Sequence, residues 1–295
     1  MRDVMRLAAR QPAFLVRKGL VAAVAILAAS GLARAAVPAP DAASAKELRI
    51  CASTVNAPYS LQDGSGFENR IAVAVAHAMG RTPAFVWSNK PAIYAVRDQL
   101  EQNACDVVVG IDAGDDRVLT TRAVYRAGYV FLTKADAPEI TGYDDPQLRK
   151  INHIAMSFHS PAQPMLEKLG LYDENMAYLY SLVGFRSPRN QYLDVEPAKI
   201  VSEVAEGNAG LGIAFEPEIA RYVKASTVKL RVTRLPDTAT RSDGTPVPQH
   251  FDQTLGVRKA DTGLRDALNK AIAAAGPEID SILKSEGFTP LAPNS

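Results

Sequence analysis

Cysteine occurs twice in these 295 residues, tryptophan once and histidine four times. Each shortage removes a chemistry. Two cysteines with no CxxC spacing make no thioredoxin-like redox motif, and with four scattered histidines they leave little for a structural metal. No Gly-x-Ser-x-Gly elbow, Walker loop or His-x-x-x-His pair is present, so the marks of serine hydrolases, nucleotide cradles and zinc hydrolases are missing. The fragment Gly207-Asn208-Ala209-Gly210-Leu211-Gly212 imitates a glycine-rich fingerprint. It leaves a helix and enters a strand, which is the wrong context for a phosphate cradle. Were the chain an enzyme, Glu68, Asp112 and Glu216 would be its candidate acids and bases. The reading is that it is not an enzyme, with no catalytic residue, no metal and no cofactor.

Long apolar runs are missing as well, apart from one near the start. Arg2, Arg6, Arg10, Arg17 and Lys18 precede an apolar stretch from Gly19 to Leu32, and Ala33-Arg34-Ala35 gives a small-x-small cleavage site. Residues 1–35 therefore read as a secretory signal, too short in its apolar part for the roughly 20 residues of a spanning helix. There is no twin-Arg pair and no cysteine at the cleavage site, so export to the periplasm and release are expected, without membrane insertion. The leader holds six of the 33 Lys+Arg and one of the 32 Asp+Glu, leaving 27 basic against 31 acidic residues. A mildly acidic chain without basic clusters is poorly suited to nucleic acid or anionic membranes. Residues 36–46, rich in Ala and Pro, read as a tether.

What is present is a repeating α/β pattern. Glu47 to Ser53 reads as a strand, Phe67 to Met79 as a helix stopped by Gly80, and Phe85 to Trp87 as a strand. Pro91 to Gln102 reads as a second helix, with Ile93, Val96 and Leu100 at i, i+3, i+7. Val107-Val108-Val109 is a run suited to a strand buried on both faces. This β-α-β-α-β order implies a parallel sheet with right-handed crossovers. After Lys134 a similar unit begins: a strand over Ile151 to Phe158, a helix start at Ser160-Pro161, a helix over Pro197 to Glu206 and a strand over Leu211 to Phe215. A short helix over Glu216 to Val223 and a β-rich run from Val228 to Leu235 follow. The strand Thr254 to Lys259 and two closing helices, broken at Gly276-Pro277, complete the chain. The fold class is α/β and two-lobed. Residues 47–134 plus 250–295 form lobe 1, residues 135–249 form lobe 2, and each lobe is a mostly parallel sheet flanked by helices.

Cys51 opens onto the first strand and Cys105 onto the third, which are neighbours in a 2-1-3 strand order. An exported chain permits a disulfide between them; the alternative is two buried thiols acting as small apolar groups. Ligands of open α/β sheets bind outside the carboxyl ends of the strands. On that ground the cleft candidates are Tyr59, Phe67, Asp112, Arg117, Phe158, His159, Ser160, Tyr192, Phe215 and Glu216. Arg117 can hold a carboxylate through its fork of donors or stand as a solvated surface arginine. His159 can donate to a ligand or simply lie on the surface, and Ser160 reads as an N-cap at a helix end able to face an anion.

The stretch from Gly110 through Asp116-Arg117 to Tyr129-Val130-Phe131-Leu132 resembles the point where amino-acid-type periplasmic binding proteins leave their first lobe for the second. Asp112 and Gly114 replace the two threonines of that family's pattern. Phe215 stands where those receptors place an Asp for the ligand's amino group. The first departure removes hydroxyl donors, so the family's ligand does not carry over; the second argues against a zwitterionic ligand, the alternative being that Phe215 is ordinary core.

Longer runs resemble a narrower group. These are Gly66-Phe67-Glu68-Asn69-Arg70, Lys90 to Asp98, Met176 to Leu182, Phe185 to Tyr192 and Phe251-Asp252-Gln253. They are similar to the MoxJ (MxaJ, XoxJ) proteins, periplasmic components of bacterial methanol oxidation, from about Leu48 to Pro290. The resemblance implies a type II two-lobed binding-protein fold. It also implies work with a quinoprotein methanol dehydrogenase, in its assembly or activation, and leaves any small ligand unidentified. Phe185, Arg186, Arg189 and Tyr192 are the partner-contact candidates, since aromatics and arginine are enriched at interface hot spots. The competing reading is a receptor that delivers a solute to an ABC permease.

Overall fold

A computed structural model describes residues 46–183 and 194–292. The leader, all of the tether except Lys46, and the run from Phe185 to Tyr192 lie outside the described residues.

Among the described residues nine strands are present: β1 (Glu47–Ser53), β2 (Thr82–Ser88), β3 (Val107–Asp112), β4 (Leu119–Thr120), β5 (Tyr125–Lys134), β6 (Ile154–Met156), β7 (Leu211–Phe215), β8 (Leu230–Arg234) and β9 (His250–Val257). The main path runs β2-β1-β3-β9-β5-β7-β6, with β4 added to β9 and β8 added to β5. Pairing is parallel among β1, β2 and β3 and between β6 and β7. It is antiparallel wherever β5 or β9 takes part. These are the strands that run between the lobes, so each lobe carries a mixed sheet around a parallel unit.

β5 changes partners in mid-strand. Tyr125 to Gly128 pair with β9, and Tyr129 to Lys134 pair with β7 and β8. The crossing is thus at Gly128–Tyr129, earlier than the boundary at Lys134 that the sequence pattern drew. The run from Tyr125 to Lys134 is one unbroken strand, so its apolar pattern carries no mark of where the partner changes. The return strand likewise begins at His250, four residues before the expected Thr254.

The helices are α1 (Phe67–Ala78), α2 (Ala162–Leu169), α3 (Tyr172–Leu182), α4 (Pro197–Glu206), α5 (Glu216–Ala225), α6 (Thr262–Ala274) and α7 (Gly276–Glu286). In lobe 1, Ile71 and Val75 of α1 pack with Leu268 of α6, Leu283 of α7 and the sheet residues Leu48, Ile50 and Val257. In lobe 2, the period of two in β5 splits the core. Val130 and Leu132 face Ile200 and Val204 of α4, and Phe131 faces Leu166 of α2 and Leu179 of α3 on the other side. Gly207, at φ +84°, closes α4 in the left-handed conformation that glycine adopts without a Cβ clash.

Two elements differ from the sequence pattern. Pro91 to Gln102 is a 3-10 turn (Ala92–Tyr94) followed by a π-helical turn (Val96–Leu100). Gln99, in the π-helical turn, is turned inward, where its Nε2 donates to the Val86 carbonyl at 2.6 Å, and Ile93, in the 3-10 turn, is 48% exposed. The polar Gln99 therefore joins the buried side that the apolar period had assigned to Ile93. Helix α3 had no element assigned to it at all. Among the described residues no helix is long and apolar enough to cross a membrane.

Cys51 and Cys105 form a disulfide with Cα atoms 5.3 Å apart. Adjacent pairing of Ile50 with Val107 and Cys51 with Val108 sets that distance.

Candidate functional site

A cavity of about 450 Å³ lies between the two lobes. Its floor comes from the strand ends and the crossings: Val109, Gly110 and Asp112 of β3, Tyr129 of β5, and Phe251 and Gln253 of β9. Its walls come from the first turn of α1 through Glu68, the end of β7 through Phe215, and the first turn of α5 through Glu218. Tyr59, His159 and Pro161 lie on the loops that edge it. This is the carboxyl end of the parallel strands, where open α/β sheets leave a crevice.

Three aromatic rings form one wall. Tyr129 and Phe215 stand 5.6 Å apart by ring centroids, Tyr129 and Phe251 6.2 Å, and Phe215 and Phe251 6.1 Å. Three carboxylates face them. Asp112, exposed toward the cavity, accepts from Gln253 Nε2 at 2.5 Å. Glu68 is 6% exposed, and its Oε1 accepts from the Tyr125 hydroxyl at 3.1 Å. It fits because Gly110 has no side chain: a Cβ there would stand 2.4–2.8 Å from the Glu68 carboxyl group. Glu218 is the third residue of α5, and it accepts from the Phe215 backbone at the N-cap and from the Tyr59 hydroxyl. Burial pushes Glu68 up to about 7, against the lowering effect of Tyr125. Burial, and then the charge of Asp194, pushes Glu218 up to about 7. Burial also raises the Tyr59 and Tyr129 hydroxyls well above their usual range, so both stay protonated donors.

The expected cleft residues divide. Tyr59, Asp112, His159 and Phe215 line the cavity. Ser160 lines a second cavity that shares His159, Pro161 and Phe251 with the first. Its hydroxyl makes no cap: Pro161 is the N-cap of α2, and Gln163 instead accepts from the His159 backbone N–H at 3.1 Å. Four expected residues face elsewhere. Phe67 is fully buried in the lobe 1 core. Arg117 folds its fork onto Asp115 at 2.6 Å on the surface. Phe158 packs on Tyr180, with ring centroids 5.4 Å apart. Glu216 is ion-paired with Arg234 at 3.0 Å. Tyr192 lies outside the described residues.

Glu218 was not a cleft candidate from the sequence, although a signal for it existed. Glu216-Pro217-Glu218 follows a strand end, and a Glu at the third helical position reaches back toward the N-cap. Tyr129 and Phe251 could not be placed while the crossing was drawn at Lys134.

Two α/β lobes joined by two crossing strands, with a lined cavity between them, define a two-lobed solute-binding protein. The chain matches the bacterial extracellular solute-binding proteins, family 3, over residues 48–283, and belongs to that family and, within it, to the MoxJ/MxaJ group. It is 53% identical over 257 residues to "Protein MoxJ" of Methylorubrum extorquens, covering 87% of this chain and 84% of that protein. To "Protein MoxJ" of Paracoccus denitrificans it is 42% identical over 267 residues, 90% of this chain and 96% of that protein. The crystal structure of MxaJ from Methlophaga aminisulfidivorans MPT superposes with a TM-score of 0.79 at 40% identity, covering 83% of this chain and all of that one.

Proposed function

We propose that this protein is a non-catalytic accessory component of bacterial methanol oxidation, exported to the periplasm. There it works with a quinoprotein methanol dehydrogenase in its assembly or activation. The observation that carries this reading is the nearly full-length identity to proteins named MoxJ. A cleft unsuited to an amino acid's carboxylate supports it: among the described residues acids and no Lys or Arg line it, and Arg117 is turned onto Asp115. Tyr180, 50% exposed on α3, adds an aromatic surface of the kind found at protein contacts. The second reading, a receptor feeding an ABC permease, is favoured by the intact cavity between the lobes.

The test is capture of partners from periplasm by the tagged protein at low salt, read by mass spectrometry. Methanol dehydrogenase is the expected partner. Permease subunits in its place would support the second reading. No capture of the dehydrogenase, with no effect on its activity or assembly, would reject the first.

A further inference from the structure

The interlobe cavity has a chemistry that the accessory role does not use. Among the described residues, no Lys or Arg lines it, while Glu68, Asp112 and Glu218 all reach it. Of the described residues, a ligand carboxylate would therefore meet three acids and no Lys or Arg. The first turns of α1 and α5, the positive helix ends that could hold such a carboxylate, already carry Glu68 and Glu218. An amino acid is a poor fit for that reason, and not because the cavity lacks a partner for its amino group.

A cation is a good fit. Tyr129, Phe215 and Phe251 cluster three aromatic rings in the lining, and aromatic rings attract organic ammonium ions through their positive charge. Metal ions are a different matter: among the described residues no three His, Cys, Asp or Glu side chains converge as ligands. The carboxylates are spread around the cavity and matched to a larger, softer cation. At about 450 Å³ the main cavity falls within the range of small-ligand sites.

We propose that the interlobe cavity binds a small organic ammonium ion that carries no carboxylate, held by Glu68, Asp112 and Glu218 against the Tyr129–Phe215–Phe251 wall. The site is independent of the dehydrogenase reading and stands whether or not that partner is captured.

Calorimetry on the purified protein tests this with tetramethylammonium and a primary alkylammonium, alongside glycine, arginine and sodium chloride as controls. At least one ammonium ion should bind saturably, and the zwitterions and sodium should not. At pH 8, above the value of about 7 to which Glu218 is pushed, Glu218→Gln and Asp112→Asn should each weaken that binding by about tenfold or more, as expected for loss of a charged partner. Asp112 is exposed, so its variant keeps the test sound if a change at Glu218 disturbs folding. Three results would overturn the site: no ammonium binding at millimolar concentration, equal binding of a zwitterion, or binding unchanged in both variants.

Discussion

Glu68 and Glu218 are held in an environment that penalises their ionised forms, and that has a signed consequence for stability. Both pKa values are raised by burial from about 4.5 to about 7. Over that interval the folded chain keeps protons that the unfolded chain releases. Their contribution to stability is therefore full below about pH 4.5 and is lost as pH rises through about 7. The groups around them do not reverse this. Tyr125 of β5 donates to Glu68, Tyr59 donates to Glu218, and the charge of Asp194 adds to the shift at Glu218. Asp112 of β3 and Tyr129 of β5 share the same cavity and bring no positive charge. The double variant Glu68→Gln, Glu218→Gln removes the penalty. Its unfolding free energy should gain on the parent progressively between about pH 5 and about pH 8, by an amount on the order of a few kcal/mol in all. A difference that stays constant across the series would show that the two carboxyls are not buried as described.

At the level of elements, two ties hold what packing alone leaves loose. One is the disulfide that pins the π-helical segment and the start of β3 to β1, across 54 positions of sequence. Removing both cysteines as Cys51→Ala, Cys105→Ala should cost about 3–4 kcal/mol, chiefly by freeing the unfolded chain. A denaturant midpoint unchanged from the parent would contradict that. The other tie joins the lobes. Glu286, at the end of α7 and 5% exposed, accepts from Arg221 of α5 at 2.7 Å and also from Arg70 of α1. Lys224 adds a bond to the Ser285 carbonyl at 2.9 Å, and Arg234 one to the Thr289 carbonyl at 2.5 Å. Glu286→Gln keeps the shape and removes the charge, so about 1.5–3 kcal/mol should be lost. Hydrogen exchange should rise in α5 before it rises in α1, because α1 keeps its own core contacts. Equal protection in both variant and parent would mean that the tie is not holding the lobes.

For the whole molecule, the two functional readings separate the surface from the cleft. A partner such as methanol dehydrogenase would be met by an outer surface, whereas a small ammonium ion would sit inside. Tyr180→Ala on α3, and Phe185→Ala or Arg186→Ala in the run beyond it, should each weaken capture of the dehydrogenase. A hot-spot truncation costs about 2 kcal/mol, roughly thirtyfold in affinity. The thermal melt should stay near that of the parent. A variant that melts early would place its residue in the core, and unchanged capture by all three would move the contact elsewhere on the molecule.

The sequence by itself determined most of the elements and the two-lobed α/β class. Those follow from local rules: the apolar period of α1 and α4, the glycine stops, the valine run of β3, and the alternation in β5 that serves both faces of a sheet. It also determined the neighbourhood of Cys51 and Cys105, because strand order alone brings β1 beside β3. Only the tertiary structure decided where the chain crosses between the lobes, since partner exchange within an unbroken strand leaves no trace in its side-chain pattern. For the same reason only it decided which polar side chains face the cleft. Arg117 satisfied its charge on Asp115 two residues away, and Glu216 found Arg234 from another strand. Glu68 and Glu218, set by the first turns of two helices from different lobes, were left to face each other across a shared cavity. A residue's charge is written in the sequence, but the partner that uses it is chosen by how distant segments pack.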